Sequence, residues 1–142
     1  MHFVTGGAYN GKAGWVKRHI PNDVLWISAY QGDPLPENLP KTNNQYAVLE
    51  GLETWIRQDA ACMDAAGIRR KWQGIFRLWR IWEKEEPGRQ AVWIGTDITK
   101  GIVPVEQEKR VWRDAAGWIF QDAVSVADRV DVIWYGIASK IK

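Results

Sequence analysis

Residues Gly6 to Lys12 read G-x-x-x-x-G-K, the spacing with which a loop wraps phosphate groups. Each residue type has its part in that chemistry. Glycines let backbone N–H groups approach phosphate oxygens that side chains would hold away. The lysine brings a positive charge to the terminal phosphate, and a helix starting there adds the positive end of its dipole. Gly7, Ala8, Tyr9, Asn10, Gly11, Lys12 and Ala13 are therefore the expected nucleotide-binding residues. The last of them breaks the pattern, because Ala13 stands where a serine or threonine hydroxyl usually ligates Mg²⁺. That ion keeps several waters in its octahedron, so a water can take the place of the hydroxyl.

Without the hydroxyl, acidic groups near the loop matter more. Glu50 directly follows the apolar run Tyr46-Ala47-Val48-Leu49, where a Walker-B-type carboxylate would hold the metal or its water. Asp97, after "AVWIGT", is the second acid of this kind. Lys12, Glu50 and Asp97 form the expected catalytic set, with Glu50 as the metal-binding residue. Arg110 and Arg113 are candidates to steady phosphate charge.

These residues need a scaffold, and the chain alternates strand-like and helix-like patterns. Strands are expected at residues 2–5, 24–30, 46–51, 89–97 and 131–137. Helical patterns cover 13–19, 52–86 with a break near Gly67, and 107–130. Residues 31–45 carry three prolines and read as a surface loop. This alternation predicts an α/β domain spanning residues 1–142, with a mainly parallel sheet and helices on both faces. In such sheets ligands bind beyond the carboxyl ends of the strands, which would gather Gly6–Lys12, Ser28–Tyr30, Glu50, Thr96 and Asp97 at one edge.

Composition narrows the function. A net charge of +2 with interspersed signs gives no footprint for nucleic acid. No apolar run approaches the ~20 residues of a membrane span, and the first residues lack a secretory signal's pattern. The single cysteine, Cys62, suits a reducing cytoplasm and is expected to be a small core residue. His2 and His19 are the only histidines, too few for a His-rich metal site. Ten tryptophans imply an aromatic core or an apolar partner, and Trp72, Trp79 and Trp82 share one helical face.

The last third of the chain carries the strongest family signal. Gly101-Ile102-Val103-Pro104, Trp112-Arg113-Asp114, Gly117, Gln121, Ala127-Asp128, Val130 and Gly136 resemble, in order, motifs of one family. It is the adenosylcobinamide kinase / adenosylcobinamide-phosphate guanylyltransferase family of cobalamin biosynthesis. The opening "VTGGAYNGKA" is similar to that family's "VTGGARSGKS", and "VLEGLETWI" to its third-strand motif with an acid at Glu50. The resemblance implies a RecA-like P-loop NTPase fold, usually a homotrimer. It implies phosphorylation of adenosylcobinamide by ATP or GTP with Mg²⁺, then GMP transfer through a guanylylated histidine.

The chain departs from that pattern at Ala13, at Thr96-Asp97-Ile98-Thr99 and at Phe120. It also has no histidine between Gln31 and Gln45, where the family carries its nucleophile. A phosphoramidate needs an imidazole nitrogen at the α-phosphate, so the sequence favours the kinase step alone. The alternative is a family member that binds nucleotide or corrinoid without turnover.

Overall fold

The computed structural model describes every residue from Met1 to Lys142. Six strands form one sheet: β1 (His2–Gly6), β2 (Val24–Ser28), β3 (Tyr46–Glu50), β4 (Gln90–Ile94), β5 (Arg129–Trp134) and β6 (Ile137–Lys140). Four helices accompany them: α1 (Lys12–His19), α2 (Leu52–Ala60), α3 (Ala65–Glu85) and α4 (Gln107–Val126). The strand order is β2-β3-β4-β1-β5-β6, and every pairing is parallel except that of β5 with β6.

The strands are short apolar runs whose alternate residues serve two cores, as expected when both sheet faces are covered. On one face Val4, Val48, Val92, Ile94 and Ile133 pack with Trp15 and Val16 of α1. On the other, Phe3, Ala47, Leu49, Ala91, Trp93 and Val130 meet α2, α3 and α4. Moving from β1 out to β2 the chain crosses on the α1 face, and moving back through β3 and β4 to β5 it crosses on the opposite face. Both crossings then have the right-handed sense that strand twist favours.

The tryptophan stripe belongs to the larger core. Trp72, Trp79 and Trp82 are fully buried, and Trp79 stands edge-to-face against Trp82 at 5.3 Å and Trp93 at 5.9 Å. Such pairs add stability beyond the area they bury.

Four expectations need correction. The long helical segment breaks at Ala61–Asp64 rather than at Gly67, because the Asp64 carboxylate caps α3 by accepting from the Gly67 N–H at 2.7 Å. Cys62 falls on that turn and is exposed, not a core residue. The expected last strand divides into β5 and an antiparallel β6 around a Tyr135-Gly136 turn with positive φ at both residues. The segment 31–45 is more than a surface loop: Leu35 and Leu39 pack on the larger core, and Trp55 Nε1 donates to Asp33 O at 2.8 Å.

Candidate functional site

The G-x-x-x-x-G-K loop leaves the middle of the sheet. β1 lies between β4 and β5, and Gly6 is in register with Ile133. A Cβ on Gly6 would stand 2.3 Å from Ile133 O, and its φ of 141° is one that side chains avoid, so glycine is required there. Gly11, at φ 85°, turns the chain into α1. The helix after β1 goes to one face while the connection after β4 goes to the other. This divergence opens a crevice at the carboxyl ends of β1 and β4, the place where such sheets bind ligands.

That crevice is a cleft of about 490 Å³. Ala8, Tyr9, Gly11, Lys12 and Ala13 wall one side of it, and Tyr30, Glu50, Glu53, Ile94 and Thr96 line the rest. The structure therefore joins the loop to the ends of β2, β3 and β4, although β2 stops at Ser28 and Tyr30 lies on a 3-10 turn. Lys12 is 7 % exposed and its Nζ donates to Gly7 O at 2.7 Å. Burial pushes its pKa down, and the charges of Glu53 and Glu50 offset this only in part.

Glu50 is half-buried, with Oε2 accepting from Trp26 Nε1 at 2.9 Å. Ser28 is in register with it, and the Ser28 hydroxyl is buried without a hydrogen-bond partner. Glu53, in the first turn of α2, was not foreseen. Its Oε1 accepts from the Tyr30 hydroxyl, and its Oε2 accepts from the Thr96 N–H at 2.8 Å. Trp112 Nε1 holds its carbonyl at 2.7 Å. Burial, with the bond to Glu53 next, keeps the Tyr30 phenol well above its ordinary range, so it remains a donor. Glu53 thus ties α2, the Tyr30 turn and the end of β4 into a rigid wall.

Asp97 is not in this cleft. Its N–H donates to Gly6 O at 3.0 Å, and its Oδ1 accepts from both the N–H and hydroxyl of Thr99. Burial raises its pKa, but the Thr99 bonds and Lys100 outweigh that and hold it low. It lines a separate groove of about 630 Å³, with Phe3, Thr5, Gly7, Phe120, Gln121 and Trp134 among its walls. Arg113 also faces elsewhere, with Nε donating to Thr99 O at 3.1 Å and so bracing the loop after β4. Arg110 caps Val105 O at the start of α4.

Neither histidine reaches the cleft. His2 is buried and pairs with Asp131 at 2.7 Å, and His19 bonds Trp15 O at 2.7 Å at the far end of α1. No helix is long and apolar enough to cross a membrane.

Glu50 is the residue that would hold a Mg²⁺ ion arriving with a nucleotide, and no group of three or more His, Cys, Asp or Glu side chains stands ready to hold a metal by itself. Such ions are bound through one or two carboxylates plus phosphates and keep several waters. Glu50 has one oxygen without a protein partner. In comparisons with known proteins, no family model and no curated protein matches this chain.

Proposed function

We propose that this chain is a RecA-like P-loop kinase that uses ATP or GTP with Mg²⁺ to phosphorylate adenosylcobinamide. The observation that carries the nucleotide half is the buried Lys12, set in the loop cleft across from Glu50 and Glu53. A buried ammonium whose pKa is lowered by burial gains most from an anion that restores its charge partner. The corrinoid half rests on the resemblance of "TDITKGIVPVEQEKRVWRDAAG" and the residues after it. The reading includes a cytoplasmic location and a homo-oligomer, a trimer by resemblance.

In this reading the N–H groups from Gly7 to Ala13 cradle the phosphates, and Lys12 releases Gly7 O to follow the transferring group. The acceptor hydroxyl oxygen forms a bond to the γ-phosphorus as the bond to the β-phosphate oxygen breaks. Glu50 accepts or orients the hydroxyl proton and would hold the Mg²⁺ ion, which would supply charge to neutralise the phosphates. Glu53 acts only by holding Tyr30 and Thr96 in place. Such catalysis is mostly positioning and electrostatics, which a missing Ala13 hydroxyl weakens without ending.

GMP transfer is outside the proposal, because His2 is buried against Asp131 and His19 is a helix away from the loop. The experiment is incubation with adenosylcobinamide, Mg²⁺ and ATP or GTP, followed by mass analysis of the corrinoid. The expected product is the monophosphate and no guanylylated species. An unmodified corrinoid beside tight nucleotide binding would instead favour the reading without turnover, in which Lys12 stays bonded to Gly7 O.

A further inference from the structure

Tyr9 and Tyr135 are the two non-glycine residues with positive φ, at 58° and 49°. Left-handed backbone is disfavoured for any residue with a Cβ. Neither ring recovers that cost by burial, since Tyr9 is 105 % exposed and Tyr135 79 %. A two-residue hairpin turn with both φ positive prefers Asn-Gly or Asp-Gly, so turn geometry does not select Tyr135. An aromatic ring is kept in solvent at a strained position. That combination points to a ligand.

The two tyrosines belong to one joined structure. Gly136 N–H donates to Asn10 O at 2.8 Å, and Tyr135 N–H donates to Asn10 Oδ1 at 3.1 Å. Asn10 thereby clamps the phosphate loop to the β5–β6 turn. Trp134, also exposed, stands edge-to-face against Tyr135 with ring centroids 5.4 Å apart. Two aromatic rings, Trp134 and Tyr135, therefore stand on the β5 side of the loop, while Tyr9 lies on the cleft side.

Charge sets the direction in which a nucleotide would lie. Lys12, Glu50 and Glu53 all border the cleft on the β3–β4 side of the loop. A triphosphate with its terminal group and metal on that side sends its sugar and base the opposite way. The opposite neighbour of β1 is β5, whose turn carries the rings. We propose that Tyr135, supported by Trp134, is the stacking platform for the nucleobase. This rests on the nucleotide reading of the loop given above.

The test compares ATP with inorganic tripolyphosphate, both with Mg²⁺, by calorimetry on the wild-type chain and on Tyr135→Asn. The substitution removes the ring and supplies the residue that the turn prefers, so the hairpin is kept. The expected result is about a tenfold weaker ATP affinity, unchanged tripolyphosphate affinity, and a thermal midpoint no lower than wild type. Unchanged ATP affinity in the variant overturns the platform and leaves the phosphate loop standing. Equal losses for ATP and tripolyphosphate also overturn it, since the turn would then act through the Asn10 clamp. A wild-type chain that binds neither probe removes both readings together.

Discussion

The Lys12 ammonium donates to the carbonyl oxygen of Gly7 across 2.7 Å, so in the free protein the loop holds its own cation. In the proposed function, phosphate displaces that bond. Burial has already lowered the Lys12 pKa, so its charge is a cost to the folded chain that a ligand relieves. Lys12→Met keeps the length of the side chain and removes the charge. Turnover is expected to fall on the order of 10²-fold or more, with a thermal midpoint no lower than wild type. Steady-state kinetics and a melting curve check both halves, and wild-type turnover in the variant would end the phosphoryl-transfer assignment.

Ala13 lines the cleft beside Lys12, where a hydroxyl would meet the metal that accompanies a nucleotide. Ala13→Ser restores that oxygen. It is expected to lower the Mg²⁺ concentration giving half-maximal nucleotide binding by about tenfold, the scale of one added ligand contact. Superimposable magnesium titrations of the two proteins would show that Ala13 is not at the metal position.

Glu50 and Glu53 are three residues apart and do different work. Glu53 satisfies the Tyr30 hydroxyl and the Thr96 N–H, so Glu53→Ala leaves the Thr96 N–H without a partner and the half-exposed Tyr30 hydroxyl with only Thr96 Oγ1 at 3.3 Å. That loss is expected to cost about 2 kcal/mol of stability. Glu50→Gln keeps an oxygen for Trp26 Nε1 and should change stability by less than about 1 kcal/mol while lowering turnover about 10²-fold. Denaturant unfolding and kinetics on both variants separate the roles. Equal effects on stability would contradict the division.

Much of this site was legible because its parts follow local rules. The loop spacing needs only the residues themselves, and Glu50 ends an apolar run that could only be a buried strand. Asp97 reaches the expected edge beside the loop but not the cleft of Lys12 and Glu50, which "AVWIGTD", read as one continuous strand, could not reveal. β4 ends at Ile94, but the bonds from Gly95 to Val4 O and from Asp97 to Gly6 O carry the chain on beside β1, so Asp97 stays at the sheet's carboxyl edge while its side chain lines the other groove. Glu53 was missed because an acid in a first helical turn looks like ordinary dipole compensation. Its signal was the single glycine between Glu50 and α2, which leaves the first turn of that helix at the sheet's carboxyl edge. β6 was hidden because "IASK" alternates too weakly to show that an exposed edge strand pairs there.

His2, Asp131 and Arg129 form a cluster that contributes to the pH dependence of stability. His2 Nε2 lies 2.7 Å from Asp131 Oδ2, and Arg129 Nε donates to the same oxygen at 2.6 Å. Trp15 of α1 closes the cluster, 6.0 Å from the His2 ring and beneath the Arg129 guanidinium. Burial lowers the His2 pKa below its ordinary 6.5, although Asp131 opposes this. The Asp131 carboxyl is pushed up by burial, yet the bonds from Arg129 and His2 hold it below 3.8. An unfolded chain therefore takes a proton on His2 before the folded one does. The His2 contribution is complete above pH 6.5 and is lost as pH falls through the folded value below it. The Asp131 contribution is complete above pH 3.8 and is lost only as pH falls through its lower folded value. The thermal midpoint should decline between about pH 7 and pH 5, and decline again below about pH 4. His2→Gln, which retains a donor for Asp131, should flatten the first decline and leave the second. A first decline as steep in His2→Gln as in the wild type would move the titrating group elsewhere.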